Sequence, residues 1–153
     1  MDESAGIYAR ESPYLDRYVQ VGIAQGRVIS VDFPPQPEDN AVMEHAILDR
    51  IEAYLRGERD DFGDVTVALT VPTDQRAVLE AVQQVPYGEN ATVEQVSHMV
   101  PGLDGSDETD LRTIREALAE NPVPIFVPTH RVRDGPGGSP PAVESKLRGL
   151  EGL

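Results

Sequence analysis

One stretch of the chain gathers the side chains best suited to chemistry: Asn121-Pro122-Val123-Pro124-Ile125-Phe126-Val127-Pro128-Thr129-His130-Arg131-Val132. An apolar run delivers a hydroxyl, an imidazole and a guanidinium at consecutive positions, Thr129, His130 and Arg131. Imidazole exchanges protons near neutral pH, whereas an alcohol sits near the ~15.7 of bulk water. No stronger nucleophile is on offer, because the 153 residues include no cysteine. That absence also excludes disulfides, thiolate zinc sites and iron–sulfur clusters. His45 and His98 fall at helical positions without metal-ligand spacing, so no metal or cofactor is expected.

The elements that must position this stretch follow from periodicity. Val19, Val21 and Ile23 alternate before Gln25-Gly26, and Ile29, Val31 and Phe33 after it, which predicts a β-hairpin over 18–33. Ala41, Ile47, Leu48, Ile51, Tyr54 and Leu55 recur at helical spacing over 40–55, with Gly57 as a stop. Val65–Val71 alternates and is β-branched, a third strand. From Pro72 onward the pattern turns helical. Thr73 or Asp74 caps a helix to about Gln84, Pro86-Tyr87-Gly88 breaks it, and Thr92-Val93-Glu94-Gln95 fits a capping box opening a short helix to about Met99. After the Pro101–Ser106 turn, Leu111, Ile114, Ala117 and Leu118 mark a helix over 107–120 that Asn121-Pro122 ends. Val123–Val127 reads as a short strand, Asp134–Pro141 as an irregular loop, and 142–150 as a last helix. Two short helices joined by a tight turn make a helix-turn-helix pattern. The expected fold class is therefore α/β: a small N-terminal sheet-plus-helix domain over 1–72 and a helical, winged helix-turn-helix-like domain over 73–153.

Charge narrows the setting. The chain holds 13 basic and 27 acidic residues, a net charge of −14, and Lys146 is its only lysine beside twelve arginines. Such a surface suits solubility in concentrated salt, where at ~1 M the Debye length falls to ~3 Å and self-repulsion is screened. The rival reading is an acidic protein that mimics or avoids nucleic acid. Residues 1–74 carry 15 acidic and 6 basic groups, residues 75–153 carry 12 and 7, so the second half is the less negative. No apolar run approaches the ~18 residues of a membrane span, and Met1–Glu11 lacks a targeting pattern. The expectation is a soluble, cytoplasmic monomer.

The Asn121–Val132 stretch resembles the active-site signature of the methylated-DNA–protein cysteine methyltransferase family, in which Asn-Pro, an apolar strand and Pro-Cys-His-Arg-Val follow one another. Val85-Pro86-Tyr87-Gly88-Glu89 is similar to the turn before that family's helix-turn-helix, Arg112 falls at its intercalating arginine, and Leu150-Glu151-Gly152 matches its terminal Glu-Gly. The resemblance implies that Glu151 orients His130, that Asn121 completes this network, that Pro128, Thr129 and His130 line a base pocket, and that Arg112, Thr113, Arg115 and Arg131 face DNA. Its activity needs no cofactor: a cysteine thiolate takes the alkyl group from O6 of a flipped guanine.

Thr129 stands at that cysteine's position. A thiol near pKa 8.5 can be ionised by a neighbouring His–Glu pair, but a hydroxyl lies some seven units higher, about 10 kcal/mol of differential stabilisation. No catalytic residue is therefore expected, and the resemblance implies an alkyltransferase-like protein that binds O6-alkylguanine in double-stranded DNA and passes it to a repair partner. Two alternatives stand beside it: a degenerate scaffold acting as a protein-interaction module, and an alkyltransferase with an unconventional acceptor. Several residues depart from the family pattern. Val93 replaces a tyrosine, Arg115 and Glu116 replace small residues, and the 134–141 loop is short and lacks the base-gripping tyrosine and serine. Bland roles remain open as well: Arg131 and Arg133 can pair with carboxylates, Arg112 can be a solvated surface charge, Asn121 can simply end its helix, and Glu89 and Glu94 can cap.

Overall fold

Gln25 and Gly26 both adopt positive φ, 53° and 73°, the backbone of a tight hairpin turn matched to strand twist. In the computed structural model, which describes residues 5–153, this turn joins β2 (Arg17–Ala24) to β3 (Arg27–Asp32), the hairpin predicted from alternation. A further strand, β1 (Gly6–Ser12), pairs antiparallel with β2, so the sheet order is β1-β2-β3. The sequence reading missed β1 because Tyr8 and Ala9 are both buried, which breaks the period of two. The reading of Met1–Glu11 as free of a targeting pattern rests partly on residues outside the described range.

Two expected strands do not form. Around Val67, Val28 N–H donates to Thr66 O and Ala68 N–H donates to Val28 O, a single parallel bridge. Further along β3, Val31 N–H donates instead to Pro122 O at 2.9 Å. The outer edge of β3 is thus shared between two segments, and neither extends into a ladder. The 123–127 segment is discussed with the site below.

The first helix is shorter than its apolar spacing suggested. α1 spans Ala46–Leu55, capped by His45, whose Nδ1 accepts from Ile47 N–H at 2.9 Å. Upstream, the Val42 backbone bridges β1 through bonds to Ile7 and Ala9, so the chain pairs with the sheet there instead of beginning the helix. α2 (Thr73–Val82) begins after Pro72 with no side-chain cap, contrary to the cap expected at Thr73 or Asp74. Thr92 does close a reciprocal capping box with Gln95 at the start of α3 (Val93–Met99). Asp107 caps α4 (Glu108–Ala119), accepting from Thr109 and Asp110 N–H. α5 (Pro141–Glu151) starts on proline and ends at Gly152 in the left-handed region, the usual asymmetry of helix ends.

Burial ties these elements into one core. A single cluster includes Val21 of the sheet, Val78 and Leu79 of α2, Leu118 of α4 and Leu147 of α5. Phe62 and Phe126 stack edge-on at 5.1 Å across it, a pairing worth ~1 kcal/mol beyond area burial. α2, α3 and α4 pack mutually, and α5 lies on the turn that carries Thr129. Among the described residues no helix is long and apolar enough to cross a membrane.

Candidate functional site

Asn121 shapes the chemical stretch. Its Oδ1 accepts from Val123 N–H at 3.0 Å, and its Nδ2 donates to Val127 O at 2.9 Å and to Thr129 Oγ1 at 3.3 Å. Val127 N–H donates to Val123 O at 2.9 Å, and Ile125 takes φ +78°. The segment read as a strand over Val123–Val127 is therefore a compact loop. Pro124 and Pro128 lack the N–H that a ladder needs, and the Asn121 side chain supplies the missing pairing. The loop ends in a single 3-10 turn, Thr129–Arg131, clamped to the segment before α3 by bonds between Ala91 and both Arg131 and Arg133.

On one side of this turn lies Glu151, fully enclosed and surrounded by donors. Arg131 Nε reaches its Oε1 at 2.8 Å and Nη2 its Oε2 at 3.1 Å. Gly88 N–H donates to Oε1 at 3.0 Å, Tyr54 O–H donates to Oε2, and His130 Nε2 lies 2.6 Å from Oε2. Burial pushes the Glu151 carboxyl up, but hydrogen bonds and charge from His130 and Arg131 outweigh it and hold the group at about 2. The carboxylate is thus ionised and can only accept, which places a proton on His130 Nε2. Burial, then the Glu151 charge, drives the Tyr54 hydroxyl far above its ordinary value, so it stays a donor.

On the other side lies Glu144. Thr129 is 0% exposed; its hydroxyl accepts from Asn121 and from Gly138 N–H at 3.2 Å, and faces Glu144 Oε1 at 3.4 Å as donor. The same Oε1 accepts from Ser139 N–H at 3.2 Å and Ser139 Oγ–H at 2.7 Å. Glu144 Oε2 is buried with no partner. The Gly137-Gly138 segment closes over the pair; a Cβ at Gly138 would fall 2.5 Å from the Asn121 carbonyl oxygen, too near for any side chain. A cavity of about 310 Å³ opens beside Pro128 and Arg131, with Val85, Pro86, Ile125 and Phe126 in its wall. Thr129 and His130 lie behind that wall, not in it.

α4 presents the outward face. Arg112 and Arg115, one turn apart, are exposed, and among the described residues no ion pair holds either. Arg10 and Arg50, by contrast, are each paired with two carboxylates. Thr113 is half-buried and its hydroxyl donates back to Thr109 O at 3.2 Å. Val93 is buried, so it offers nothing polar to a partner.

The structure thus brings His130, Glu151, Asn121, Pro128 and Thr129 together, and sets Arg112, Thr113 and Arg115 on a separate helix. Arg131 corrects the sequence reading. Expected to face DNA, it is 5% exposed, gripped by Glu151 and by the Val85 carbonyl at 2.7 Å, and holds no free donor face for phosphate. Sequence reasoning missed Tyr54, filed with the core stripe, and Glu144. The signal for Glu144 was its spacing: it sits seven residues before Glu151 and three before Leu147, on the buried face of α5.

Comparison with known proteins places the chain in a family and matches its fold. The family model described as 6-O-methylguanine DNA methyltransferase, DNA binding domain, matches residues 73–150. The methylated-DNA–protein-cysteine methyltransferase of Methanopyrus kandleri is 38% identical over 109 residues, 70% of this chain and 78% of the relative. That of Metallosphaera sedula is 28% identical over 130 residues, 82% and 79% of the two chains. Among solved structures, the Mycobacterium tuberculosis OGT in complex with DNA superposes with a TM-score of 0.74 at 23% identity, covering 95% of this chain and 92% of that one. The O6-methylguanine-DNA methyltransferase of Pyrococcus kodakaraensis superposes at 0.69 and 20% identity, covering 97% and 100%.

Proposed function

The chain belongs to the methylated-DNA–protein-cysteine methyltransferase family, and on that premise we propose that it binds O6-alkylguanine in double-stranded DNA by base flipping without accepting the alkyl group. The observation that carries this reading is the environment of Thr129. Its hydroxyl is bonded to Asn121, Gly138 and Glu144, while His130 is turned to Glu151. The alcohol makes no hydrogen bond to the imidazole, so transfer to it lacks both an ionised nucleophile and a base in direct contact with its proton.

Recognition needs less. Extruding a base costs a few kcal/mol, least where alkylation has already weakened the pair, so binding alone selects damage. In this reading α4 enters the groove and Arg112 fills the gap left by the flipped nucleotide, with Arg115 beside it. Pro128, Thr129 and His130 form the pocket once the Gly137-Gly138 segment lifts. Glu151 and Asn121 hold the walls in place. Residues 73–153 supply the DNA-facing elements and 1–72 the supporting sheet, in a monomer working in a saline cytoplasm and handing its lesion to a repair protein. At high salt the long-range repulsion of a −14 chain is screened, and short contacts decide.

The test is an anisotropy titration in molar KCl with matched duplexes carrying O6-methylguanine or guanine; a preference for the lesion is expected, and equal binding overturns the proposal. Intact mass should show no added methyl after incubation, and Thr129→Cys should restore transfer. One observation favours a second reading, a scaffold that binds protein rather than DNA: the closed loop over Thr129 leaves no open pocket at the acceptor position. Failure of Thr129→Cys to react, with no duplex binding, would select it.

A further inference from the structure

The unpaired carboxylate oxygen of Glu144 has no use in the closed molecule. A buried carboxylate normally fills its lone-pair sites with donors, because leaving one empty forfeits solvation without return. Glu144 is 3% exposed and Oε1 is saturated by Ser139 and Thr129, yet Oε2 meets nothing. No ion pair holds it among the described residues: Arg131 is committed to Glu151 on the far side of the turn, and Arg148 donates to the His130 carbonyl at 2.9 Å. The Gly137 backbone packs directly on this carboxylate, since a Cβ there would fall 1.9 Å from Oε1 and 2.7 Å from Oε2, so a ligand reaches Oε2 once the Gly137-Gly138 segment lifts.

We propose that Glu144 is the base-selecting residue of the pocket, its Oε2 accepting a hydrogen bond from the 2-amino group of a flipped O6-alkylguanine whose 6-position faces Thr129. This rests on the lesion-binding reading above. The 6- and 2-substituents of a purine lie on one edge, separated by a single ring nitrogen. Thr129 Oγ1 and the Glu144 carboxylate lie side by side, 3.4 Å apart at their nearest oxygens, so one base edge spans both. The remaining edge atoms of an O6-alkylated guanine, O6 and N1, are acceptors. The 2-amino group is therefore the donor on that edge that a carboxylate can read, and an anionic acceptor repels bases without one. A flipped base read by hydrogen bonds to its Watson–Crick edge is how pockets of this kind discriminate.

The experiment compares three duplexes identical but for one base: O6-methylguanine, O6-methylhypoxanthine, which lacks only the 2-amino group, and guanine. Anisotropy titrations in molar KCl are run on the wild-type chain and on Glu144→Leu, which removes the acceptor at similar volume. Wild type should bind O6-methylguanine about ten-fold more tightly than O6-methylhypoxanthine, the size of one hydrogen bond to a charged group. Glu144→Leu should bind the two equally. Equal wild-type affinity for both lesions, each above guanine, overturns the role of Glu144 and leaves the lesion reading intact. Equal affinity for all three overturns both. A ten-fold preference that persists in Glu144→Leu assigns the amino group to another acceptor and also overturns the inference. Should Glu144→Leu fail to fold, Glu144→Gln takes its place: it keeps an oxygen for Ser139 and puts an amide NH2 where Oε2 stood. It should likewise bind the two lesions equally, a persisting ten-fold preference overturning the inference.

Discussion

Glu144 and Glu151 sit seven residues apart on the buried face of α5, yet the interior treats them oppositely. Glu151 receives bonds from Arg131, His130, Tyr54 and Gly88, and is held ionised at about 2. Glu144 receives two bonds from Ser139 and one from Thr129, all on one oxygen. One carboxylate is a structural hub; the other is half-satisfied. The difference separates what the fold needs from what a ligand would complete, since a settled buried charge is fully partnered and a waiting one is not. The Thr129–Arg131 turn lies between them, with Thr129 facing the incomplete side and His130 and Arg131 the complete one.

The largest expected effect is Glu151→Gln. The change leaves the Arg131 guanidinium enclosed without its counter-charge and should lower stability by about 3–5 kcal/mol, read as a shift in urea midpoint. A loss below ~1 kcal/mol would break the contrast at its strong end. The pH profile sharpens the same point. A carboxyl depressed in the folded state contributes stability that is present above its unfolded pKa of ~4.3 and is lost as pH falls through the folded value. Wild type should therefore weaken from about pH 5 down to about 2, and Glu151→Gln should lack that limb.

Tyr54→Phe comes next. It removes one donor from a carboxylate that keeps Arg131, His130 and Gly88, so a loss of about 1.5–3 kcal/mol is expected in the same assay. Gly138→Ala probes the other side. Its Cβ would press on the Asn121 carbonyl at 2.5 Å, so the segment must lift and release the bond from Gly138 to Thr129. A cost of about 1–3 kcal/mol and faster amide exchange at Gly138 are expected; an unchanged exchange rate would mean that the closure is not held by this contact.

How far the sequence discloses this contrast depends on what each residue signals. The hairpin, the capping box at Thr92 and the α4 stripe follow local rules of period and capping, and the structure has them where those rules put them. Val65–Val71 follows the same rules yet forms only a bridge, because it shares the outer edge of β3 with the segment at Pro122, which local composition does not report. Val123–Val127 carries Pro124 and curls onto the Asn121 side chain instead. At the site, Asn121, Thr129, His130 and Glu151 were legible through their order along the chain. Arg131 was misassigned because an arginine beside a histidine looks the same in sequence whether it faces phosphate or a buried glutamate. Tyr54 was hidden for a similar reason: its ring belongs to the core stripe, and only the fold reveals where its hydroxyl ends.

The smallest stability effect belongs to Glu144→Gln, and it is the most informative of the series. The side-chain amide keeps an oxygen for the Ser139 N–H and O–H, so the existing bonds survive. No ion pair is broken by the change, since none holds Glu144 among the described residues. What disappears is a negative charge enclosed without a counter-charge, whose removal is neutral or favourable. Stability should stay within about 1 kcal/mol of wild type and move upward if it moves. Measured beside Glu151→Gln at one pH and one salt concentration, the two identical replacements should differ by several kcal/mol. Equal losses would show that Glu144 is as fully partnered as Glu151, and an oxygen already satisfied has nothing left to offer a base.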